Sequence, residues 1–333
     1  MTIEGVKFVR PDRASRSRIT LGAVQIRSQP GAVEANCAHA TPLIEKAAAH
    51  GAEVVVLPEL FSSGYIPNPA IWDMAEEREQ GPMRQWLAAT ARRLGIYLGA
   101  GSVERDGSDF FNVFVLADPN GGIAGRAYKS DAEANVFRRG RDEHVIDTAL
   151  GRIGIGICAD NQLVAQLQLM HERDVDVVLM PHAWPTPARA SGHVSEADVA
   201  TLQRRMIELP VLYARSLGVP VVFVNQVGPL VAMGGIIGRL MKPKIWRLRG
   251  QSRIVDSDGS VLAQLDEDED ALVATAKTTA ANEPFQEPNS YGRYLQPGSA
   301  LVRNIILPID IAHGRLSYRL SQNQRRTART RTT

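Results

Sequence analysis

Three residues stand where strand-like runs give out, and apolar packing accounts for none of them. Glu59 closes VVVLPEL, Lys129 closes GRAYKSD and Cys158 closes GRIGIGICAD. In α/β sheets, reactive groups collect beyond the carboxyl ends of strands. Pro58 lacks the amide donor that a ladder needs, so it marks the end of the run before Glu59. A carboxylate there, beside Leu60 and Phe61, is partly desolvated, and desolvation makes it a stronger base. An ammonium at a strand end can hold an oxyanion. A thiol at such a turn can serve as nucleophile, with the backbone N–H of Ala159 facing the same cavity. Gly154 and Gly156 weaken the preceding strand unless something packs closely on them. Each residue also has a plain structural reading: a surface or helix-start glutamate, an exposed lysine, a small buried cysteine.

The elements that would position these groups alternate between strand and helix. Strands are expected at Ile19–Ile26, Glu53–Leu57, Ile96–Ser102, Phe111–Ala117, Ile123–Tyr128, Arg152–Cys158, Val175–Met180 and Val219–Asn225. Helices are expected at Val33–His50, Met83–Leu94, Val164–Arg173 and Glu196–Ser216, with Gly51 and Gly95 as stops for the first two. A last β region follows at Ser252–Asp256, Val261–Gln264 and Ala271–Ala276, with the DEDED run at 266–270 as an exposed loop. The alternation argues for an α/β fold with helices covering the sheets. The turns at 118–122 and 257–259 imply hairpins, so the sheets should be mixed rather than purely parallel. One domain over 19–320 is expected, between basic tails at 1–18 and 321–333.

Composition narrows the classes of function. A net charge of +2 and an aromatic content of 6% give no case for nucleic acid or a membrane surface as partner. Two cysteines cannot frame a chain of 333 residues with disulfides, which points to a reducing compartment. No apolar run approaches the roughly 20 residues of a spanning helix, and the first residues lack a signal-peptide core. The expectation is a cytoplasmic protein. Seven histidines without a His-x-x-x-His pair, and no Cys-x-x-Cys, leave metal binding unsupported, and no cofactor is expected.

Glu, Lys and Cys, in that order at three strand ends, resemble the nitrilase (carbon–nitrogen hydrolase) superfamily. The matching segments are Leu57-Pro58-Glu59-Leu60, Gly125–Lys129 and Gly154–Asp160, supported by 174–184, 213–228 and 250–264. The resemblance implies a four-layer α-β-β-α sandwich with two mixed sheets, and a homodimer or larger homo-oligomer. It implies a small-molecule amide or N-carbamoyl substrate cleaved through a cysteine thioester, with Glu59 as base and Lys129 holding the oxyanion. It also implies a second glutamate after the lysine, for which Glu133 is the match; its plain reading is a helix-start acid. Three positions depart from the family pattern. Ala159 stands where an aromatic residue is common, Asp131 where a histidine often follows the lysine, and Ala159-Asp160 where nitrile-cleaving members carry Trp-Glu. The last favours amides over nitriles.

His182 and Trp184 follow the expected strand 175–180 and could line the opening of the site, or be core residues. The segment 229–248 is apolar and basic with two adjacent glycines, and reads as a lid, an oligomer contact or a packed excursion. Two rival functions remain at this point: a Cys158–His182 thiol dyad of another fold, and a non-catalytic relative that binds an amide or a partner protein.

Overall fold

The computed structural model describes residues 17–130, 133–140, 144–233, 235–278, 285–296, 299 and 302–328. Asp131 and most of the expected N-terminal tail therefore lie outside the described residues.

The chain begins with strand β1 (Arg18–Gln25), helix α1 (Val33–Ala49), β2 (Val54–Val56), β3 (Glu76–Glu77) and α2 (Pro82–Leu94). Next come β4 (Tyr97–Asp106), β5 (Asp109–Ala117), β6 (Ile123–Tyr128), β7 (Val145–Thr148), β8 (Gly151–Ile155) and α3 (Val164–Glu172). β9 (Val177–His182), β10 (Pro185–Pro187), α4 (Glu196–Leu217), β11 (Val221–Asn225), β12 (Val227–Pro229) and α5 (Gly235–Leu240) follow. β13 (Trp246–Arg249), β14 (Arg253–Val255), β15 (Val261–Gln264), β16 (Asp270–Lys277), α6 (Leu307–Leu320) and α7 (Gln322–Thr327) complete it.

Two sheets dominate. The first runs β16-β1-β2-β4-β5-β6, with β3 on β4; the second runs β15-β14-β11-β9-β8-β7. Both are mixed: β1, β2 and β4 are parallel, as are β8, β9 and β11, while the outer pairs are antiparallel. Alternation along each strand explains the layering. Leu21, Ala23, Val54, Val56, Phe114 and Leu116 face a shared core with Ile153, Ile155, Val177 and Val222 of the second sheet. Their neighbours Val24, Val55, Leu98, Val113 and Val115 pack outward against Ile44, Ala47, Leu87 and Ala91 of α1 and α2. Met206, Leu209 and Tyr213 of α4 cover the far side of the second sheet. The result is the α-β-β-α arrangement expected.

Local chemistry sets the helix ends. Pro82 stands in the first turn of α2, and Gly95 closes that helix in the left-handed region. Ser195 and Asp198 form a reciprocal capping box on α4, and Gly218 ends it.

Several expectations are corrected. β4 runs four residues past Ser102 and turns through Gly107-Ser108 into β5, a hairpin hidden by the charges of Glu104 and Arg105. The strand expected over 152–158 ends at Ile155, and β7 was not anticipated. His182 is the last residue of β9 rather than beyond it. The segment 229–248 is a packed excursion: β13 pairs with β10 on one side and β12 on the other in a small third sheet, and Trp246 and Leu248 are buried. The C-terminal stretch expected to fray from 321 begins as α7, and its Arg325 is buried under Tyr318. An arginine with a ring to cover it and carbonyls to bond is not a solvated charge.

Candidate active site

Glu59, Lys129, Glu133 and Cys158 converge. After β2 the chain keeps hugging β4, with Leu57 N–H donating to Gly99 O (2.8 Å) and Gly101 N–H to Pro58 O (3.1 Å). This holds Glu59 fully buried between the sheets. Its Oε1 accepts from Lys129 Nζ at 2.5 Å and Asn112 Nδ2 at 2.8 Å. Its Oε2 accepts from the Ala183 backbone N–H at 2.8 Å, and its carbonyl from Gln226 Nε2 at 2.7 Å.

Lys129 is fixed by its own backbone. Its N–H continues the β5–β6 ladder to Asn112 O (2.9 Å), and its carbonyl accepts from Gly140 N–H (2.9 Å). Its Nζ bridges Glu59 and, at 2.6 Å, Glu133 Oε2. Glu133 opens a tight turn closed by Val136 N–H to Glu133 O (3.0 Å), and its Oε1 accepts from Tyr65 OH at 2.9 Å. The resemblance gives it as the second glutamate of the site, with a helix-start acid as the plain alternative; the structure places it in the cluster, buried, with φ 43°.

Cys158 lies three residues past the end of β8, at the start of a short 3-10 turn over Cys158–Gln162. The turn forms because Asn161 folds back over Gly156, its Nδ2 donating to Gly156 O at 2.6 Å. A Cβ at 156 would collide with that amide, so the glycine permits a close approach, as its place in the strand suggested. Asp160 ties the turn to the lysine segment by accepting from Ser130 N–H at 2.9 Å. The first bond of the turn runs from Asp160 N–H to Ile157 O (3.1 Å), which leaves the Ala159 N–H without a partner inside the turn.

The charges are unbalanced: two carboxylates, one ammonium and a thiol. Burial opposes the Lys129 charge, but the Glu133 and Glu59 carboxylates outweigh it and hold its pKa well above the ordinary lysine value. Burial, then the Glu59 carboxylate, push the Cys158 thiol well above its ordinary value; Lys129 and the Ala183 N–H pull the other way. The resting thiol is therefore protonated, with the Glu59 carboxylate nearby. Cys37, the other thiol, is buried on α1, and burial raises it to about 12.

His182 does not line an opening. It is fully buried, its Nε2 pairs with Asn161 Nδ2 at 3.0 Å, and its ring lies 4.5 Å from Phe223 and stacks on Trp184 at 5.5 Å. Burial and then Lys129 hold its pKa well below the usual imidazole range, so it is neutral. Among the described residues, Nδ1 has no hydrogen-bond partner, so neither ring nitrogen engages the sulfur. The dyad reading loses its geometry. Trp184 is also enclosed, with its N–H on Asn225 Oδ1 at 2.8 Å.

Sequence reasoning missed Asn112, Tyr65, Ala183, Gln226 and Asp160. Asn112 did carry a signal, as the one polar residue inside FFNVFVLA. Ala183 contributes only its backbone, and nothing in its side chain marks it. Tyr65 and Gln226 also wall a cavity of about 460 Å³ next to the cluster, with Ser28, Asn36, Leu230 and Leu248.

A family model described as carbon-nitrogen hydrolase matches residues 20–281. The chain is 29% identical over 168 residues to a nitrilase of Pyrococcus abyssi, covering 49% of this chain and 64% of the relative. It is 28% identical over 181 residues to an omega-amidase of Danio rerio, covering 50% and 64%. These matches span just under two thirds of each relative. A carbon-nitrogen hydrolase from Helicobacter pylori shares the fold with a TM-score of 0.68 at 22% identity, over 78% of this chain and 89% of that one. A variant of an amidase from Nesterenkonia, with an acetamide moiety added covalently at its active-site cysteine, aligns with a TM-score of 0.63 at 21% identity, over 80% and 92%. No helix among the described residues is long and apolar enough to cross a membrane. With the family model covering most of its length, the chain belongs to the carbon-nitrogen hydrolase family of the nitrilase superfamily.

Proposed function

We propose that the protein hydrolyses a non-peptide C–N bond, in an amide or N-carbamoyl compound, through a thioester on Cys158. One observation carries this reading: a thiol placed with a carboxylate, Glu59, and an ammonium held charged by two carboxylates. Glu59 takes the Cys158 proton as the sulfur attacks the carbonyl carbon. Lys129 Nζ and the Ala159 N–H hold the oxygen that becomes negative, each donor worth about 3–4 kcal/mol of barrier. When the tetrahedral adduct collapses, Glu59 gives its proton to the leaving nitrogen, and ammonia or an amine departs. Glu59 then takes a proton from water, whose oxygen adds to the thioester. Collapse expels the sulfur, which recovers its proton, and a carboxylic or carbamic acid leaves.

Glu133 orients Lys129 in this scheme. Trp184 and the enclosed His182 shape the wall next to Ala183. Ala159-Asp160 after the sulfur favours amide-type substrates over nitriles. The omega-amidase and the Nesterenkonia amidase among its relatives support an amide. A citrullinase of Francisella tularensis, 26% identical over 203 residues, keeps carbamoyl compounds in view. Two free thiols fit a reducing compartment such as the cytoplasm. Assembly as a homodimer or larger homo-oligomer belongs to the same proposal.

The test is release of ammonia or amine from a panel of amides, N-carbamoyl amino acids, N-carbamoyl amines and nitriles, with intact-mass detection of an acyl adduct. Cys158→Ala should abolish the adduct and cut turnover on the order of 10⁴-fold or more, with the melting curve retained. Substantial turnover by the purified variant would refute the nucleophile. Binding without an adduct on any panel member would favour the non-catalytic reading.

A further inference from the structure

We propose that the C-terminal helix α6 is a positioning element for Glu133, acting through a contact at Gly314 and an anchor at Tyr318; this rests on the reading of Glu133 and Cys158 given above. The family match ends at residue 281, so α6 lies beyond it.

The turn that carries Glu133 is short. Glu133 O accepts from both Val136 and Phe137 N–H, and Ala134 and Asn135 form its tip. That tip lies against Gly314, a buried residue inside α6. A Cβ at 314 would stand 2.8 Å from Asn135 N and 2.9 Å from the Ala134 carbonyl carbon, both backbone atoms. A methyl group there requires the helix or the turn to move. One helical turn later, Tyr318 OH accepts from Phe110 N–H at 3.0 Å, and Arg325 lies over its ring at 3.7 Å. Phe110 O in turn accepts from Arg138 N–H at 2.8 Å, just after the Glu133 turn. Trp72 Nε1 donates to Val136 O at 2.8 Å from the other side. β5 therefore holds both the helix and the exit of the turn, and α6 closes on the turn's tip. Glu133 has little freedom left, and its backbone is already in the left-handed region.

Alanine forms helix better than glycine, but a methyl group set against backbone atoms overpacks, so melting temperature alone does not separate a brace from a packing contact. The brace makes a prediction for the thiol. Displacing Glu133 removes a negative charge that disfavours the thiolate, so Cys158 should ionise at lower pH.

The readout is the pH profile of Cys158 alkylation by iodoacetamide on the full chain, located by mass spectrometry. Glu133→Gln should move the profile to lower pH. Gly314→Ala should move it in the same direction by less, with a melting temperature lowered by the overpacking. On whichever panel substrate is turned over, kcat should fall about 10- to 100-fold with little change in KM. Leu316→Ala, on the solvent side of α6, should leave the profile in place.

A Gly314→Ala profile identical to that of the parent would overturn the brace, as would an equal shift in Leu316→Ala. If Gly314→Ala does not fold, Tyr318→Phe decides: it keeps the ring and removes the acceptor for Phe110, and an unshifted profile there also overturns the proposal. The alkylation arm needs no substrate. Turnover surviving in Cys158→Ala would sink the functional reading while leaving the brace to be judged on its own data.

Discussion

Two buried ionic clusters flank the end of β6, and consecutive residues feed them. Lys129 joins Glu59, Glu133 and Cys158. Tyr128, pointing to the other face, donates to Glu104 Oε1 at 2.6 Å. Glu104 shares Arg84 with Glu76, at 2.8 and 2.9 Å, and Arg126 Nε lies 3.5 Å from it. The second cluster balances two carboxylates with two guanidiniums, which stay charged at any working pH. It can lock α2 to β4, and its one acidic proton stays on the Tyr128 hydroxyl, which burial and then Glu104 hold well above the ordinary phenol pKa. The first has a surplus carboxylate, a point-charge ammonium and a thiol beside them. Burial of charge is common to both; only the unbalanced one holds a thiol among its charges.

The strongest way to break this contrast is Lys129→Met. Turnover should fall about 10²- to 10³-fold, since one oxyanion donor is lost. Lys129 favours the thiolate, so the alkylation profile of Cys158 should move to higher pH, opposite to Glu133→Gln. A move to lower pH would mean that the lysine does not act on the sulfur. Arg84→Met should do the reverse of a reactive-site change. It strands the buried Glu76 carboxylate and leaves Glu104 with Arg126 and Tyr128 alone, so urea denaturation should report a loss of about 3–5 kcal/mol. Alkylation of Cys158 in the folded fraction should stay at the parent rate; a changed rate would merge the two clusters into one.

Gly101→Ala sharpens the comparison with a smaller effect. β4 passes so close under the first carboxylate that a Cβ at 101 would stand 2.6 Å from Glu59 Cα. Overpacking should cost about 1–3 kcal/mol and lower kcat more than it raises KM. Equal changes in both would locate the damage elsewhere. The smallest effect belongs to His182, which neighbours the reactive cluster without joining it. Its folded pKa lies well below the unfolded value of about 6.5, so the unfolded chain alone takes up a proton as pH falls through that range. Its contribution is complete above about 6.5 and declines below it, by no more than about 1.4 kcal/mol per pH unit. The gap in urea midpoint between parent and His182→Gln should therefore narrow on acidification. A widening gap would mean that the ring is charged in the fold.

Much of this architecture was legible in the sequence, and the reasons for the rest are specific. VVVLPEL and GRAYKSD break from apolar to charged within one or two residues, and such breaks survive folding as strand ends. GRIGIGICAD misled by three residues, because Asn161 rather than a hydrophobic boundary decides where β8 stops. Glu104 hid the second half of β4, since a charge reads as a strand end until its buried partner Arg84 is known. β10, β12 and β13 have only three or four residues each, and their pairing comes from tertiary packing. Backbone donors such as Ala183 N–H belong to no residue type, so no reading of side chains finds them.

Among the described residues, five that are not glycine adopt positive φ, and three of them are Leu60, Glu133 and Cys158. One adjoins the buried Glu59 carboxylate and the other two belong to the buried cluster itself. Each such residue works against the fold by about 1–3 kcal/mol. At Leu60 full burial in the core outweighs that strain, whereas at Glu133 and Cys158 glycine would relieve it with little packing lost. The proposed chemistry thus comes with a standing tension in the main chain, and a search for more robust versions of the molecule will keep being drawn to two positions that this chemistry would need.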